Sequence, residues 1–185
     1  IALDADGASE TVDDGDDDVT LAGLYDSSLI TLGGGNDRFG GVSGLWGEDE
    51  VYGGTGNDDI RGRRGDDILY GGEGNDRLRG DNENDQLYGG AGVDRLQGGN
   101  QDDYLDGGAG VDRLEGGNGN DILLFDPGLE TVTNFGTFFA LEDSKVTGGN
   151  GIDTLQGSAG NDLIDFNEAA LFTDIEIVRA GAGDD

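Results

Sequence analysis

The sequence contains no cysteine and no histidine. The first absence excludes disulfide staples. Together the two exclude zinc sites of the thiolate–imidazole kind and any chemistry that runs on a histidine base. Proline occurs once, at Pro127, and basic residues number 10 against 41 acidic ones, a net charge of −31. That balance disfavours nucleic acid as a partner. No apolar run approaches the ~20 residues of a membrane-crossing helix, and no signal-peptide pattern stands at the given N-terminus. The motifs H-E-x-x-H and G-x-S-x-G and the Gly-Lys phosphate loop do not occur. Carboxylates are so numerous that no pair stands out as an acid–base couple. The expectation is a chain without catalytic residues. What remains for binding is oxygen, from carboxylates and backbone carbonyls, which suits hard cations such as calcium. Counter-cations also answer the self-repulsion of so acidic a compact state.

What is present is a repeat. Residues 44–124 hold one nine-residue pattern nine times, from G44-L-W-G-E-D-E-V-Y52 to G116-G-N-G-N-D-I-L-L124. Position 1 is always Gly, position 6 always Asp and position 8 always aliphatic. The Asp series runs Asp49, Asp58, Asp67, Asp76, Asp85, Asp94, Asp103, Asp112, Asp121, and the aliphatic series runs from Val51 to Leu123. Two further copies lie at Gly148–Gln156 and Gly157–Asp165. Glycine takes positive φ freely, so positions 1 to 6 predict a tight loop. Positions 7 to 9 predict a three-residue strand with the aliphatic side chain pointing inward. Two copies, 18 residues, then make one turn of a flattened right-handed solenoid, with copies i and i+2 stacked at ~4.8 Å. The fold expected is all-β, a right-handed parallel β-roll or β-helix with irregular coils at both ends.

Four stretches follow. Residues 1–43 keep the D-x-U core loosely, at Asp17/Val19 and Asp37/Phe39, and read as irregular coils of the same solenoid. Residues 44–124 are the regular block. Residues 125–147 hold Pro127 and an aromatic cluster (Phe125, Phe135, Phe138, Phe139), an insert or bulged coil. Residues 148–185 are further repeats that end in A-G-A-G-D-D185, a copy cut short. A start at Ile1 and this ending suggest a fragment covalently continuous with a larger chain.

The pattern G-G-x-G-x-D-x-U-x resembles the RTX (repeats-in-toxin) hemolysin-type calcium-binding family. That resemblance implies ions held between the loops of copies i and i+2. Asp49, Asp67, Asp85, Asp103 and Asp121 would line one edge with four calcium ions. Asp58, Asp76, Asp94 and Asp112 would line the other with three, about seven in the regular block. Backbone carbonyls would come from position 1 (Gly62, Gly71, Gly89, Gly98, Gly107, Gly116) and position 2 (Gly54, Gly72, Gly90). Others would come from position 3 (Asn118) and position 4 (Gly56, Gly65, Gly74, Gly92). Asp37, Asp153 and Asp162 would serve outlying sites. Arg63, Asp81, Glu83 and Gln101 replace glycine where only a carbonyl is needed, so their cost is conformational. The resemblance also implies a secreted bacterial protein, exported by a type I system and folding outside the cell. Like charges in register every second copy repel, and one aliphatic residue in nine is a thin core against the ordering of a Gly-rich chain. Folding and calcium binding are therefore expected to be one event.

The outward positions sort into two faces. Tyr52, Tyr70, Tyr88 and Tyr104, with Ile68, Ile122 and Leu124, form one; the expectation is that the tyrosines stack or that the insert covers them. Arg61, Arg77, Arg79, Arg95 and Arg113 form the other, expected to pair with Asp59, Glu115 and loop carboxylates. The alternative for either face is an adhesin or carbohydrate-binding surface, toward polysaccharide or a cell surface. A further alternative is a non-catalytic appendage of a secreted protease, lipase or toxin. Trp46 is expected to pack against the preceding coils.

Overall fold

The structure is a computed structural model. It describes residues 2–3, 9–12, 14–21, 28–40, 47–125, 145–152, 154–157, 172–173 and 177–179. Among these there is no helix. Eighteen strands follow one another along the chain. The first five are β1 (Ala2–Leu3), β2 (Ser9–Thr11), β3 (Asp18–Leu21), β4 (Leu29–Gly34) and β5 (Arg38–Gly40). The regular block supplies β6 (Glu50–Thr55), β7 (Asp59–Arg64), β8 (Ile68–Glu73), β9 (Arg77–Asn82), β10 (Gln86–Gly92), β11 (Arg95–Asn100), β12 (Tyr104–Gly110), β13 (Arg113–Asn118) and β14 (Ile122–Phe125). Then come β15 (Lys145–Asn150), β16 (Thr154–Gly157), β17 (Phe172–Thr173) and β18 (Ile177–Arg179).

The odd-numbered strands form one nine-stranded parallel sheet and the even-numbered strands another. Each strand therefore pairs with the strand two places on, as the 18-residue turn requires: Leu69, Leu87 and Leu105 are register partners on β8, β10 and β12. The early turns are longer, with Ile30 opposite Val51 and Val19 opposite Phe39. Leu114 pairs with Val146, so β15 adds to the odd sheet in register although 32 residues, not 18, separate partners at this turn.

The strands are longer than the sequence predicts. They run from position 7 through position 3 of the next copy, as in Ile68-Leu-Tyr-Gly-Gly-Glu73, and the turn shrinks to positions 4 to 6. Glycine has little strand propensity of its own. Here neighbouring turns supply the hydrogen bonds whatever the side chain. The pleat then makes positions 8 and 1 both face inward. The core is accordingly one aliphatic column from each sheet, Val51–Leu69–Leu87–Leu105–Leu123 against Ile60–Leu78–Leu96–Leu114, all buried. Phe39, Ile30, Leu32 and Val19 extend it toward the N-terminus.

Among the described residues four non-glycines take positive φ: Arg63 (88°), Asp81 (84°), Glu83 (74°) and Gln101 (74°). All four stand at position 2 or 4, where the repeat otherwise favours glycine, so the turn geometry overrides side-chain preference there. On the even sheet the tyrosines do stack. Ring centroids lie 4.5 Å apart for Tyr52–Tyr70 and 4.9 Å for Tyr70–Tyr88, and Tyr104 tilts against Tyr88 at 5.7 Å. Residues 126–144 of the aromatic insert, Trp46, Asp153 and Asp162 lie outside the described residues, while Phe125 ends β14 and 145–147 open β15.

Candidate metal centre

Each position-6 Asp closes a turn, and its backbone and side chain both reach across to neighbouring turns. Asp67 is typical. Its N–H donates to Asp85 Oδ1 at 2.9 Å, and its own Oδ1 accepts the Asp49 N–H at 2.8 Å. Its carbonyl accepts from Gln86 N–H at 2.8 Å. The same bond repeats along both edges. One ladder runs Asp49, Asp67, Asp85, Asp103, Asp121. The other runs Asp37, Asp58, Asp76, Asp94, Asp112. All of these side chains are buried. The structure thus brings the predicted aspartates together in the predicted two columns, and adds a job the sequence reading missed. One carboxylate oxygen is a bracket for the backbone, as short polar side chains at turns often are.

The other oxygen is the informative one. Oδ2 of Asp58, Asp67, Asp76, Asp85, Asp94 and Asp103 is buried and has no hydrogen-bond partner. A buried charged oxygen left without a donor is costly. The cause of the resulting pKa shifts is burial before repulsion. Asp85 is pushed up to about 9, and Asp67 and Asp103 to about 8, by desolvation first and neighbouring carboxylates after it. Asp58, Asp76, Asp94 and Asp112 reach about 6 for the same first reason. The expected like-charge repulsion is present, but it comes second to burial. Asp67, Asp85 and Asp103 shift furthest because they are buried more deeply than Asp58, Asp76, Asp94 and Asp112, with Asp66, Glu83 and Asp102 adding nearby negative charge.

The glycines explain what surrounds that oxygen. A Cβ added to Gly53 would meet Asp58 Oδ2 and, at 2.5 Å, the carbonyl oxygen of Gly71. The same two groups, one turn apart, converge at Gly71 (Asp76, Gly89), Gly89 (Asp94, Gly107) and Gly98 (Asp103, Gly116). Gly62, Gly80 and Gly107 sit likewise against the Oδ2 of Asp67, Asp85 and Asp112. Position 1 is therefore glycine because a side chain would fill the space between a carboxylate and the next turn's carbonyl. At positions 2 and 4 the carbonyls of one turn point at the glycines of the next: Gly54 at Gly72 and Gly72 at Gly90, Gly56 at Gly74 and Gly74 at Gly92. The carbonyl of Gly90 points likewise at Gly108 and that of Gly92 at Gly110. Gly65 meets the carbonyl of Gly47 in the same way. Among the described residues no three carboxylates converge on one point. At Gly53, Gly71, Gly89 and Gly98 a carboxylate oxygen and a carbonyl of the next turn converge, oxygen donors of the kind a hard cation prefers.

The fifth and third positions carry polar ladders that sequence reading passed over as loop composition. Asn57 N–H donates to Asn36 Oδ1, Asn75 N–H to Asn57 Oδ1 and Val93 N–H to Asn75 Oδ1. Asn84 N–H binds Asp66, and Asn120 N–H binds Asp102. Asn118, predicted as a carbonyl ligand, uses its side-chain amide to donate to Asn100 Oδ1 at 2.9 Å. The signal was available: Asn or Asp recurs at position 5 in copy after copy.

The arginines pair less than expected. Arg61 grips Asp81 with two donors, and Arg113 lies 3.9 Å from Glu115. Among the described residues Arg77, Arg79 and Arg95 make no ion pair.

A family model described as the RTX calcium-binding nonapeptide repeat matches the chain in four copies, over residues 43–78, 52–87, 88–123 and 145–168. No curated protein matches the chain.

Proposed function

Because the chain belongs to the family of RTX calcium-binding nonapeptide repeats, we propose that it is a calcium-dependent folding module of a secreted protein, with ions seated between turns i and i+2. The observation that carries this reading is the row of buried Oδ2 atoms with no donor. An ion supplies the positive charge that those oxygens lack and links two turns at once. Asp49, Asp67, Asp85, Asp103 and Asp121 serve one edge; Asp58, Asp76, Asp94 and Asp112 serve the other. The carbonyls of Gly54, Gly56, Gly71, Gly72, Gly74, Gly89, Gly90, Gly92, Gly107 and Gly116 complete the gaps, with those of Gly62, Gly65, Gly98 and Asn118 in the same role. About seven ions fill the regular block. Asp37 extends one column by a turn, and Asp153 and Asp162 play the equivalent part in the later copies.

The physical consequence is conditional folding. Without ions the carboxylates resist burial and the chain stays open, the form suited to export by a type I system. Extracellular calcium modules bind at ~10⁻⁴–10⁻³ M, so calcium outside a bacterial cell closes the coil. The module has a structural rather than catalytic role. Circular dichroism during calcium titration tests this. The expected result is disordered chain in chelator and a cooperative rise of β signal at up to millimolar calcium. A β spectrum that persists unchanged in chelator, or no rise with calcium, would overturn it.

A further inference from the structure

The odd-numbered sheet carries an unusual outer face for so acidic a chain. Arg77, Arg95 and Arg113 are direct register partners on β9, β11 and β13, and Lys145 holds the next position on β15. Parallel neighbours are ~4.8 Å apart, so the row sets one cation per rung along the coil axis. Arg79 flanks it one row over, opposite Gln97. Like charges placed directly opposite each other on a sheet are destabilising, and here three guanidinium groups stand in succession. Their acidic neighbours do not explain it. Asp81 is taken by Arg61, and Glu115 reaches only Arg113, while Asp59 stands one rung before the row. Arg77 and Arg95 are exposed, and the Nε groups of Arg79 and Arg113 are buried without an acceptor.

We infer that this row binds a linear carboxylated polysaccharide laid along the coil axis. The guanidinium fork matches a carboxylate with two parallel hydrogen bonds. A uronic acid polymer offers one carboxylate per sugar, and the length of a sugar ring is close to the rung spacing. Gln97 offers an amide to the hydroxyls between. Denser polyanions suit the site less well. The field of the −31 chain opposes any polyanion, and it opposes most a nucleic acid duplex, which carries one charge per about 1.7 Å of its axis. This proposal needs the folded coil and is independent of export.

The test is calorimetry on the full chain with hexagalacturonate, at matched free calcium, with neutral maltohexaose as control. Hexagalacturonate is expected to bind, more weakly as salt rises, and maltohexaose to give no heat. The variant Arg77→Gln/Arg95→Gln/Arg113→Gln is expected to bind at least about tenfold more weakly, with its calcium-induced circular dichroism unchanged. Where that variant does not fold, Arg95→Gln alone serves, with about threefold weakening. Tyr70→Ala, on the opposite sheet, is expected to leave the affinity as it was. No binding by the parent chain, equal binding by a folded arginine variant, or equally tight binding of a short DNA duplex would overturn the proposal. The calcium titration without sugar is read separately, so the two readings fail independently.

Discussion

Replacing Asp85 by Asn should change the stability of the coil in opposite directions with and without calcium. Asp85 ionises near 3.8 in the open chain, and in the coil burial pushes it up to about 9. At pH 7 the metal-free coil must therefore hold a proton that the open chain has shed. Protonating at pH 7 a group that ionises near 3.8 costs about three tenfold steps, on the order of 4 kcal/mol against folding. Asparagine removes that penalty. It keeps the oxygen that accepts the Asp67 N–H at 2.9 Å, so the turn bracket survives. In chelator, sucrose should fold the variant at a lower concentration than the parent, since excluded osmolytes strengthen burial. In calcium the order should reverse. Asp85 lies between two predicted gaps, and its loss should raise the calcium midpoint at least about tenfold, the effect of losing even an outer partner of a metal site. Circular dichroism reads both arms. A variant that needs more sucrose than the parent in chelator would refute the claim that buried charge keeps the metal-free chain open. An unmoved calcium midpoint would refute the ligand assignment.

Two further outcomes follow from the same geometry. In chelator, the β signal should grow as pH falls. The folded pKa values lie above the unfolded ones, so the metal-free coil is most stable below about 4 and loses stability as pH rises through about 6 for Asp58, Asp76 and Asp94, then about 8 for Asp67 and Asp103. A circular dichroism signal flat from pH 9 to pH 4 would contradict this. Gly74→Ala should cost on the order of 3 kcal/mol or more, measured as the urea midpoint at saturating calcium. Gly74 has φ of 133° and its Cβ would land on the carbonyl oxygen of Gly56. Its exposed neighbour Glu73→Ala should stay within about 0.5 kcal/mol, and equal midpoints for the two would be against the stacking described.

The architecture was legible because three residue types keep an unbroken phase of nine. An aliphatic residue every ninth position, with Asp two before it, fixes which side chains face inward, and Leu69, Leu87 and Leu105 fall where the phase puts them. The strand limits were not legible. Gly71 and Gly72 carry no strand preference, and only the hydrogen bonds of the adjacent turns extend β8 through them. The conformational cost at Arg63, Asp81, Glu83 and Gln101 was visible as broken pattern, and all four adopt the backbone that glycine would have. The aspartate columns were foreseen, but not their burial. A loop carboxylate reads as a solvated group, and nothing local says that its Oδ1 will hold the previous turn while its Oδ2 is shut away from water. The arginine row was noticed, but its lack of partners depends on distances across strands that no sequence spacing gives.

The alternation of strands between two sheets has a consequence for length. Successive nine-residue copies place their outward side chains on opposite walls, so parity decides where each one goes. Excising two copies shortens the coil by a rung and leaves each wall with its own chemistry. Excising one sends every later residue across: Arg95 and Arg113 would stand beneath the tyrosine column, and Tyr104 among the guanidinium groups. The core would hardly register the change, because leucine follows leucine on either side. A coil of this kind can grow or shrink freely in its interior, while its surface tolerates only even steps.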